Sequence, residues 1–178
     1  MAGPDPHDRV QQVVEANVPA LLGYFQRRVD NPDDAADLIS ETLLVLWRRE
    51  QDLPEDPTQA RMWLFGIARN ILHTSKRTHQ RRTALHDKLR AALKAERVAD
   101  ASDRATVELN EAVRDLDGLD QEILRLAFWD GFTQAQIAVL LSMPEGTVRS
   151  RTHRARSQLR DALGQQPRPC PPVPSAFT

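Results

Sequence analysis

Apolar residues recur every three or four positions along most of the chain, a spacing typical of amphipathic helices. The first such stripe runs from Val10 to Phe25. Pro19 interrupts it, and we expect this proline to end one helix and open the next. A second stripe follows Asn31-Pro32, a pair typical of a helix cap and its first residue. A third stripe begins at Ala60, after a proline-rich and acidic loop at residues 52–59. No alternating pattern lasts long enough to predict a strand.

A second group of three short helices is predicted between residues 107 and 165. Asp120 or the residue before it is expected to cap the first helix, and Asp130-Gly131 to stop it. Thr133 is expected to cap the second helix. A tight turn then leads to Pro144 at the start of the third helix. Two short helices joined by such a turn are typical of a helix-turn-helix.

The remaining segments are polar or rich in proline. Residues 83–106 predict a partly helical linker, and residues 166–178, with five prolines, predict a disordered or extended tail. The fold class is therefore all-α. We expect two small helical domains, at 8–82 and 107–165, joined by a polar linker, with the helix-turn-helix in the second domain.

Composition narrows the class of protein. The 178 residues carry a net charge of −1, and no run of about 18 apolar residues predicts a membrane helix. The N-terminus lacks the basic and apolar blocks of a signal peptide. Cys170 is the single cysteine, which excludes a disulfide within one chain and fits a reducing compartment. We therefore expect a cytoplasmic protein that does not insert into membranes.

The near-zero net charge hides a strong segregation of charge along the chain. Residues 61–97 and 131–178 have net charges of +8 and +4, whereas residues 1–60 and 98–130 have −7 and −6. Two basic segments suggest two surfaces for polyanions, although solvated helix faces explain charge alone equally well.

The last helix combines a narrow apolar stripe with many cations. Val148, Thr152, Ala155 and Leu159 share one face and predict the packing side. A membrane-surface helix would carry larger apolar residues, and a solvated helix would mix in acids, which are absent from Val148 to Arg160. We therefore favour DNA recognition in the major groove. The candidate residues are Thr147, Arg149, Ser150, Arg151, His153 and Arg154.

The first domain contains an acidic helix and a basic one. Helical spacing allows Asp37, Glu41 and nearby apolar residues such as Leu44 to face outward together in the acidic helix, residues 33–49. By itself, however, this helix is more typical of a core helix with a solvated acidic face. The helix from Ala60 to Arg82 begins with aromatic residues and ends in a dense basic run. Aromatic rings stack on unpaired bases while cations hold the backbone. Trp63 and Phe65 serve equally well as core residues, and for Trp63 we favour a core role or one shared between core and surface.

Two motif sets carry a family resemblance. The segments "DDAADLISETLLVLWRR…WLFGIARNILHTSKR" and "LDQEILRLAFWDGFTQAQIAVLLSMPEGTVRSRTHRARSQLR" resemble, in this order, an extracytoplasmic-function (ECF) sigma factor of bacterial RNA polymerase. The resemblance covers about residues 8–165. It implies that the protein binds core RNA polymerase and directs promoter-specific initiation. The second domain would read minus-35 duplex, and the first would open minus-10 DNA.

The resemblance also implies roles for individual residues. The acidic helix would dock on the clamp of the large polymerase subunit, and the other expected polymerase contact is the flap. The loop at residues 50–60 would capture a flipped base, and the linker would run toward the RNA exit path. The docking residues would be Asp37, Leu38, Glu41, Thr42 and Val45. The minus-10 residues would be Trp63, Arg69, Asn70, His73, Lys76, Arg77 and Arg81.

Two positions depart from the family pattern. Thr74 stands where the family often has Asp, which bears on minus-10 specificity. Ser142 stands where the turn usually has Gly, so we expect a different or strained turn.

Other functions explain less of the chain. A plain helix-turn-helix regulator accounts for residues 107–163 but not for the first domain. His73, His79 and His86 lack the partners of a metal site, and no catalytic constellation stands out, so we expect no enzyme, metal or cofactor. Promoter DNA and core polymerase are the expected partners of a protein that is monomeric when free. Whether an anti-sigma factor also binds stays open.

Overall fold

The computed structural model describes the backbone of residues 6–90, 109 and 112–163, and side chains within 7–78, 109 and 112–163. All regular structure in these ranges is helical, as predicted. The residues form two compact units, which are treated separately below. Most of the predicted linker and all of the predicted tail lie outside the described residues.

The first unit contains three α-helices and a short 3-10 turn. The helices are α1 (Pro6–Gln26), α2 (Pro32–Arg48) and α3 (Pro57–Arg90), and the 3-10 turn spans Glu50–Asp52. Asn31 caps α2, as expected, because its side chain accepts a hydrogen bond from the Asp33 backbone N–H at 3.1 Å. Helix α3 starts three residues before the predicted start at Ala60 and ends at Arg90, beyond the predicted end at Arg82.

The core of this unit forms where the apolar faces of the three helices meet. Tyr24 packs edge-to-face against Phe25 and Phe65, with ring centroids 5.3 and 5.4 Å apart. All three rings are essentially buried, together with Leu21 and Leu46. Edge-to-face aromatic pairs add about 0.5–1.5 kcal/mol each beyond the area they bury. The contact between Tyr24 and Phe65 joins α1 to α3.

The prediction that Pro19 divides two helices is wrong. Helix α1 continues through Pro19 from Pro6 to Gln26. An internal proline removes one backbone hydrogen bond and costs about 3 kcal/mol relative to alanine. Beyond Pro19, however, Leu21, Tyr24 and Phe25 are buried in the core. Their burial keeps the last two turns helical because it outweighs the local penalty.

The loop between α2 and α3 is shorter than predicted. The 3-10 turn and the early start of α3 leave residues 53–56 between them. The Asp56 carboxylate accepts a hydrogen bond from the Gln59 backbone N–H at 2.8 Å and so caps α3. Arg9 Nη2 donates to the carbonyls of Leu53 and Pro54 at 2.9 and 2.8 Å. The loop is therefore anchored to α1.

From residue 118 onward the chain forms α4 (Gly118–Phe128), α5 (Gln134–Leu141) and α6 (Glu145–Ala162). The N-cap of α4 is Asp117, whose carboxylate accepts from the Leu119 backbone N–H at 3.0 Å. The predicted cap at Asp120 or Leu119 is therefore wrong. Gly131 follows the helix with φ of 71°, a left-handed conformation that glycine adopts easily. The predicted stop at this glycine is confirmed.

Helices α5 and α6 form the helix-turn-helix. Thr133 caps α5 as predicted, since its Oγ1 accepts from the Gln136 backbone N–H at 3.3 Å. Ser142 in the turn has φ of 53°, so the turn keeps the left-handed geometry that usually calls for glycine. Pro144 is the N-cap residue of α6. Ile123, Ile137 and Val148, one from each helix, are fully buried in the core of this unit.

Candidate nucleic-acid interface

Helix α6 separates its packing face from its cationic face, as the sequence predicts. Val148 and Ala155 are fully buried and Thr152 is nearly so, while Leu159 is half-buried. Thr152 Oγ1 donates to the Val148 carbonyl at 2.8 Å, which satisfies the buried hydroxyl within the helix. The opposite face exposes four polar side chains, namely Arg149, Ser150, His153 and Arg154, and Thr147 is half-buried beside them.

Arg149 is the most solvent-accessible of the ion-paired arginines on this face. Its side chain is 70% exposed, and Nη2 lies 3.3 Å from Oε1 of Glu145. Its Nε lies 3.4 Å from Oε1 of Gln134, the first residue of α5. Both contacts are long and solvent-exposed, so they hold the guanidinium weakly. Arg149 is thus available to a nucleic acid at the N-terminal half of α6.

The Arg151 side chain contacts residues at the start of α4, whereas the sequence predicted it on the DNA-binding face of α6. Its Nη1 lies 2.7 Å from Oδ1 of Asp120 and 3.3 Å from Oδ1 of Asp117. The Asp120 side chain is 1% exposed, and that of Arg151 is 28% exposed. Arg151 therefore joins α6 to α4 instead of lying on the open recognition surface. The physical reason is that a buried carboxylate needs a cationic partner within hydrogen-bond distance.

Arg154 binds the other oxygen of the same carboxylate. Its Nη2 lies 2.7 Å from Oδ2 of Asp120, yet its side chain remains 56% exposed. Arg154 thus belongs both to the contact with α4 and to the exposed face. The sequence analysis did not identify Asp120 as the partner of Arg151 and Arg154, because it assigned this residue to the helix cap. The available signal was its spacing from Ile123 and Leu124, which places an acid on the buried stripe of α4.

The ion pairs change the protonation equilibria of Asp120 and Arg151. Burial raises the pKa of Asp120, but hydrogen bonds and positive charge from Arg154 and Arg151 outweigh it, so the pKa lies below its usual value. The hydrogen bond to Asp120 raises the pKa of Arg151. Asp120 is therefore a carboxylate at neutral pH, and each of its oxygens accepts a charge-assisted hydrogen bond.

Helix α3 carries the second candidate surface, in the first unit. Asn70, His73, Lys76 and Arg77 are exposed on successive turns of one helix, and Arg69 is half-buried beside them. The Arg69 Nε is buried and has no hydrogen-bond partner within the described part of the chain. Thr74 Oγ1 donates to the Asn70 carbonyl at 2.9 Å. Arg81 also belongs to α3, but its side chain is not among those that the structure describes.

Trp63 is half-buried near the start of α3. The Arg49 guanidinium lies over its indole ring, 5.3 Å from the ring centroid. Asp52 pairs with Arg49 at 2.8 Å. The arginine at the end of α2 thus covers one face of the ring through a cation–π contact.

The acidic face of α2 is exposed where the docking residues are expected. Asp37 and Glu41 are exposed, Val45 is half-buried, and Leu44 is 56% exposed, an unusually open position for a leucine. The expectation of a docking surface is corrected at two positions. Leu38 and Thr42 are buried in the core, and Thr42 Oγ1 donates to the Leu38 carbonyl at 2.6 Å. The spacing of three to four residues from Ala35 and Leu46 turns both side chains inward.

The described residues contain no group of three or more histidine, cysteine, aspartate or glutamate side chains arranged to hold a metal ion. Among the described helices, none combines the length and the apolar character needed to cross a bilayer.

Two family models match the chain in the places where the two units lie. Residues 13–82 match the model of sigma-70 region 2, and residues 106–159 match that of sigma-70 region 4. Together the two matches cover well over half of the 178 residues. The chain belongs to the ECF sigma factors of the sigma-70 family, because an ECF sigma factor is also 32% identical to it over most of both chains. The resemblance drawn from the two motif sets is thereby confirmed.

Similar proteins agree with this assignment over most of their length. The ECF RNA polymerase sigma factor EcfG of Rhodopseudomonas palustris is 32% identical over 85% of this chain and 83% of its own. The ECF RNA polymerase sigma factor SigL of Mycobacterium tuberculosis is 27% identical over 86% of this chain and 88% of its own.

A solved structure supports the same family. The sigma factor RpoE of Bartonella quintana, crystallised in complex with the anti-sigma factor NepR, superposes with a TM-score of 0.69. It is 26% identical and covers 86% of this chain and 96% of its own. The all-α fold with two sigma domains is therefore established for this sigma factor, and its two regions serve promoter recognition and transcription initiation.

Proposed function

We propose that this sigma factor binds core RNA polymerase through the exposed face of α2 and reads promoter DNA through α6 and α3. The single observation that carries the proposal is the division of α6 into a buried apolar stripe and an exposed cationic face that begins directly after the turn. In a helix-turn-helix, this end of the second helix is the part that enters the major groove.

Recognition of minus-35 duplex is assigned to the exposed side chains of α6. Arg149 forks onto guanine or phosphate, and Ser150 and His153 donate hydrogen bonds at adjacent positions. Thr147 lies near the first turn, where the helix N-terminus favours a phosphate. Arg151 contributes through its ion pair with Asp120, by holding α6 against α4. This division of labour refines the six residues predicted from sequence.

Opening of minus-10 DNA is assigned to α3. Arg69, His73, Lys76 and Arg77 follow one another along the helix and place cationic or hydrogen-bonding groups along a single strand. Asn70 adds an amide that hydrogen-bonds to base edges. Trp63 offers an aromatic ring for a base taken out of the stack. Arg81 extends this basic run in the sequence.

Docking on the polymerase clamp is assigned to Asp37, Glu41 and Val45, and to Leu44, which helical spacing places near Asp37 and Glu41 and whose side chain is 56% exposed. An exposed leucine one helical turn from the Glu41 carboxylate combines an apolar anchor with a polar neighbour, which is the composition of a protein interface. Leu38 and Thr42 support this surface from the core. The second unit is expected to contact the polymerase flap.

We further expect that this sigma factor has no catalytic activity and no cofactor, is located in the cytoplasm and is a monomer when free. The relative from Bartonella quintana is bound by an anti-sigma factor. We expect a partner of that class to mask the same polymerase-binding surfaces here.

The test is run-off transcription with purified core polymerase on genomic fragments, with and without the full-length protein. We expect discrete new transcripts. Glu41→Arg should abolish core binding, whereas Glu15→Arg, a charge reversal at an exposed position of α1, should not. Arg149→Ala should lower promoter affinity, whereas Arg160→Ala, near the C-terminus of α6, should change it little.

The result that contradicts the proposal is the absence of both transcripts and core binding from the wild-type protein. If DNA binding nevertheless persisted, the chain would act as a helix-turn-helix regulator, and the exposed acidic face of α2 would need another partner. If Glu41→Arg and Glu15→Arg behaved alike, the docking surface would be misplaced.

A further inference from the structure

The Asp120 carboxylate connects α4 to two arginines of α6 that lie 31 and 34 residues away in sequence. Oδ1 accepts from Arg151 Nη1 and Oδ2 from Arg154 Nη2, each at 2.7 Å. Both oxygens are thus occupied, and the side chain is 1% exposed. Asp117 Oδ1 also lies 3.3 Å from Arg151 Nη1, so two carboxylates and two guanidinium groups meet at this contact.

The two arginines differ in what this contact leaves open. The Arg151 side chain is 28% exposed and uses the same Nη1 for Asp117 and Asp120. The Arg154 side chain is 56% exposed and contacts the carboxylate through Nη2. A guanidinium carries five N–H donors in a rigid fork. The donors of Arg154 that do not contact Asp120 therefore remain for a ligand on the exposed face.

Arg149 provides the contrast within the same helix. Its partners, Glu145 and Gln134, are not buried, and its contacts are 3.3 and 3.4 Å long. A free arginine loses rotamer entropy when it is fixed by a ligand. Arg154 is already fixed by a buried carboxylate before any DNA arrives, whereas Arg149 has to be ordered on binding. A pre-ordered side chain discriminates better between ligands, because its donors cannot follow a misplaced acceptor.

We propose that Asp120 is a positioning residue for promoter recognition, which orients the Arg154 guanidinium and thereby sets the base preference at the position that Arg154 reaches. This inference rests on the proposed reading of minus-35 duplex by α6. Asp120 itself does not contact the DNA. Its effect passes through Arg154, while its contact with Arg151 secures the packing of α6 against α4.

The experiment selects bound duplexes from a library in which the upstream promoter element is randomised. The full-length protein is used in complex with core RNA polymerase, and bound sequences are counted. The variants are Asp120→Asn, which keeps the shape but removes the charge, Asp120→Glu, Arg154→Ala and Arg149→Ala. Base preference is compared position by position with that of the wild-type protein.

We expect Asp120→Asn and Arg154→Ala to weaken the preference at the same base pair, by about tenfold for a lost bidentate contact. Asp120→Glu should restore part of that preference because it keeps a carboxylate. Arg149→Ala should act at a different base pair. The double variant Asp120→Asn with Arg154→Ala should lose no more base preference than Arg154→Ala alone, because Asp120 acts on the DNA only through Arg154.

Uniformly weaker binding of Asp120→Asn to every sequence, with the wild-type base profile, would overturn the inference and leave Asp120 a packing residue only. An unchanged profile for Arg154→Ala would also overturn it. If the wild-type complex selected no sequence at all, the proposed minus-35 reading itself would fail, which is distinguishable from either result.

A measurement on the wild-type protein covers the case in which Asp120→Asn does not fold. Nitrogen-15 NMR reports how fast each guanidinium rotates about its Nε–Cζ bond. In the absence of DNA, rotation at Arg154 should be clearly slower than at Arg149. Equal rates would show that the carboxylate does not hold Arg154, and the inference would be withdrawn.

Discussion

Thr133 and Gln136 cap the start of α5 reciprocally. The Thr133 backbone N–H donates to Oε1 of Gln136 at 2.8 Å, and the Gln136 backbone N–H donates to Oγ1 of Thr133 at 3.3 Å. This capping box satisfies two donors that the helix itself leaves unpaired. The capping box contributes a larger share of the stability of α5 than of a longer helix, because α5 has eight residues and therefore few backbone hydrogen bonds within the helix.

Thr133→Ala should therefore destabilise the helix-turn-helix by about 1 kcal/mol. Hydrogen exchange of the α5 amides, followed by mass spectrometry, should become about fivefold faster. Thr133→Ser keeps the accepting oxygen and should exchange at nearly the wild-type rate. Equal exchange in the alanine variant and the wild type would mean that the cap contributes nothing to the stability of α5.

Two glycines of the second unit should respond to alanine with opposite signs. Gly131 has φ of 71° and Gly146 lies within α6, and a Cβ added at either would meet no atom within 4 Å. Only backbone conformation then matters. Gly131→Ala should cost about 1–2 kcal/mol, and Gly146→Ala should gain about 0.5–1 kcal/mol. Calorimetric unfolding should show shifts in opposite directions, and shifts of the same sign would contradict this account.

Replacement of Pro19 should stabilise the first unit. Alanine restores the N–H that can donate to the Glu15 carbonyl, and we expect the free energy of unfolding to rise by about 1–3 kcal/mol. Pro32 begins α2, where proline fits the first turn, so Pro32→Ala should lose less than about 1 kcal/mol. Urea unfolding measures both. A destabilising Pro19→Ala would show that the helix depends on a bend at this proline.

Acid should weaken the second unit through Asp120. Its pKa is lower in the folded protein than the unfolded value of about 3.9, so the folded state binds its proton less readily. Its contribution to stability is therefore complete above that unfolded value and is lost as the pH falls through the lowered pKa. Asp120→Asn should be less stable than the wild type at neutral pH and should lose less stability on acidification.

Urea titrations at several pH values between about 3 and 6 span the unfolded-state pKa and check this prediction. Asp115→Asn removes one exposed carboxylate and controls for the change in net charge. If Asp120→Asn lost stability on acidification as steeply as Asp115→Asn, the ion pairs with Arg151 and Arg154 would not be the source of the acid sensitivity.

Trp63 should contribute to binding of opened DNA. Stacking of one base on an aromatic ring is worth about 1–3 kcal/mol, so Trp63→Ala should weaken binding of the polymerase complex to a forked promoter by fivefold or more. Trp63→Phe retains a ring and should bind more tightly than the alanine variant. Competition binding with forked and fully duplex fragments measures the effect. Equal losses on both fragments would assign Trp63 to the core alone.

Much of the local structure was predictable because its causes are local. Asn31 and Thr133 cap their helices as their side chains dictate, and Gly131 ends α4 where a left-handed residue is needed. The errors arose where distant contacts decide. Pro19 remains inside α1 because Tyr24 and Phe25 are buried beyond it, and no feature of residues 15–23 alone reveals that burial.

The candidate sites divide in the same way. The cationic face of α6 and the basic run of α3 follow from spacing within one helix. The burial of Leu38 and Thr42 also follows from spacing, but the family pattern placed both among the docking residues. The structure shows that these two are buried beneath the surface, whereas Asp37 and Glu41 are exposed on it. Helical spacing already placed Leu44 near Asp37 and Glu41, and the structure shows that its side chain is 56% exposed.

The sequence by itself determined the all-α class, the caps at Asn31 and Thr133, and the family. Hydrophobic period, caps and motifs depend on residues that lie close together in the chain. The tertiary structure alone decided that Asp120 meets Arg151 and Arg154. That contact joins residues more than 30 positions apart and depends on how α4 packs against α6. It also separates an arginine held by a buried carboxylate from Arg149, which the sequence presents as its equivalent.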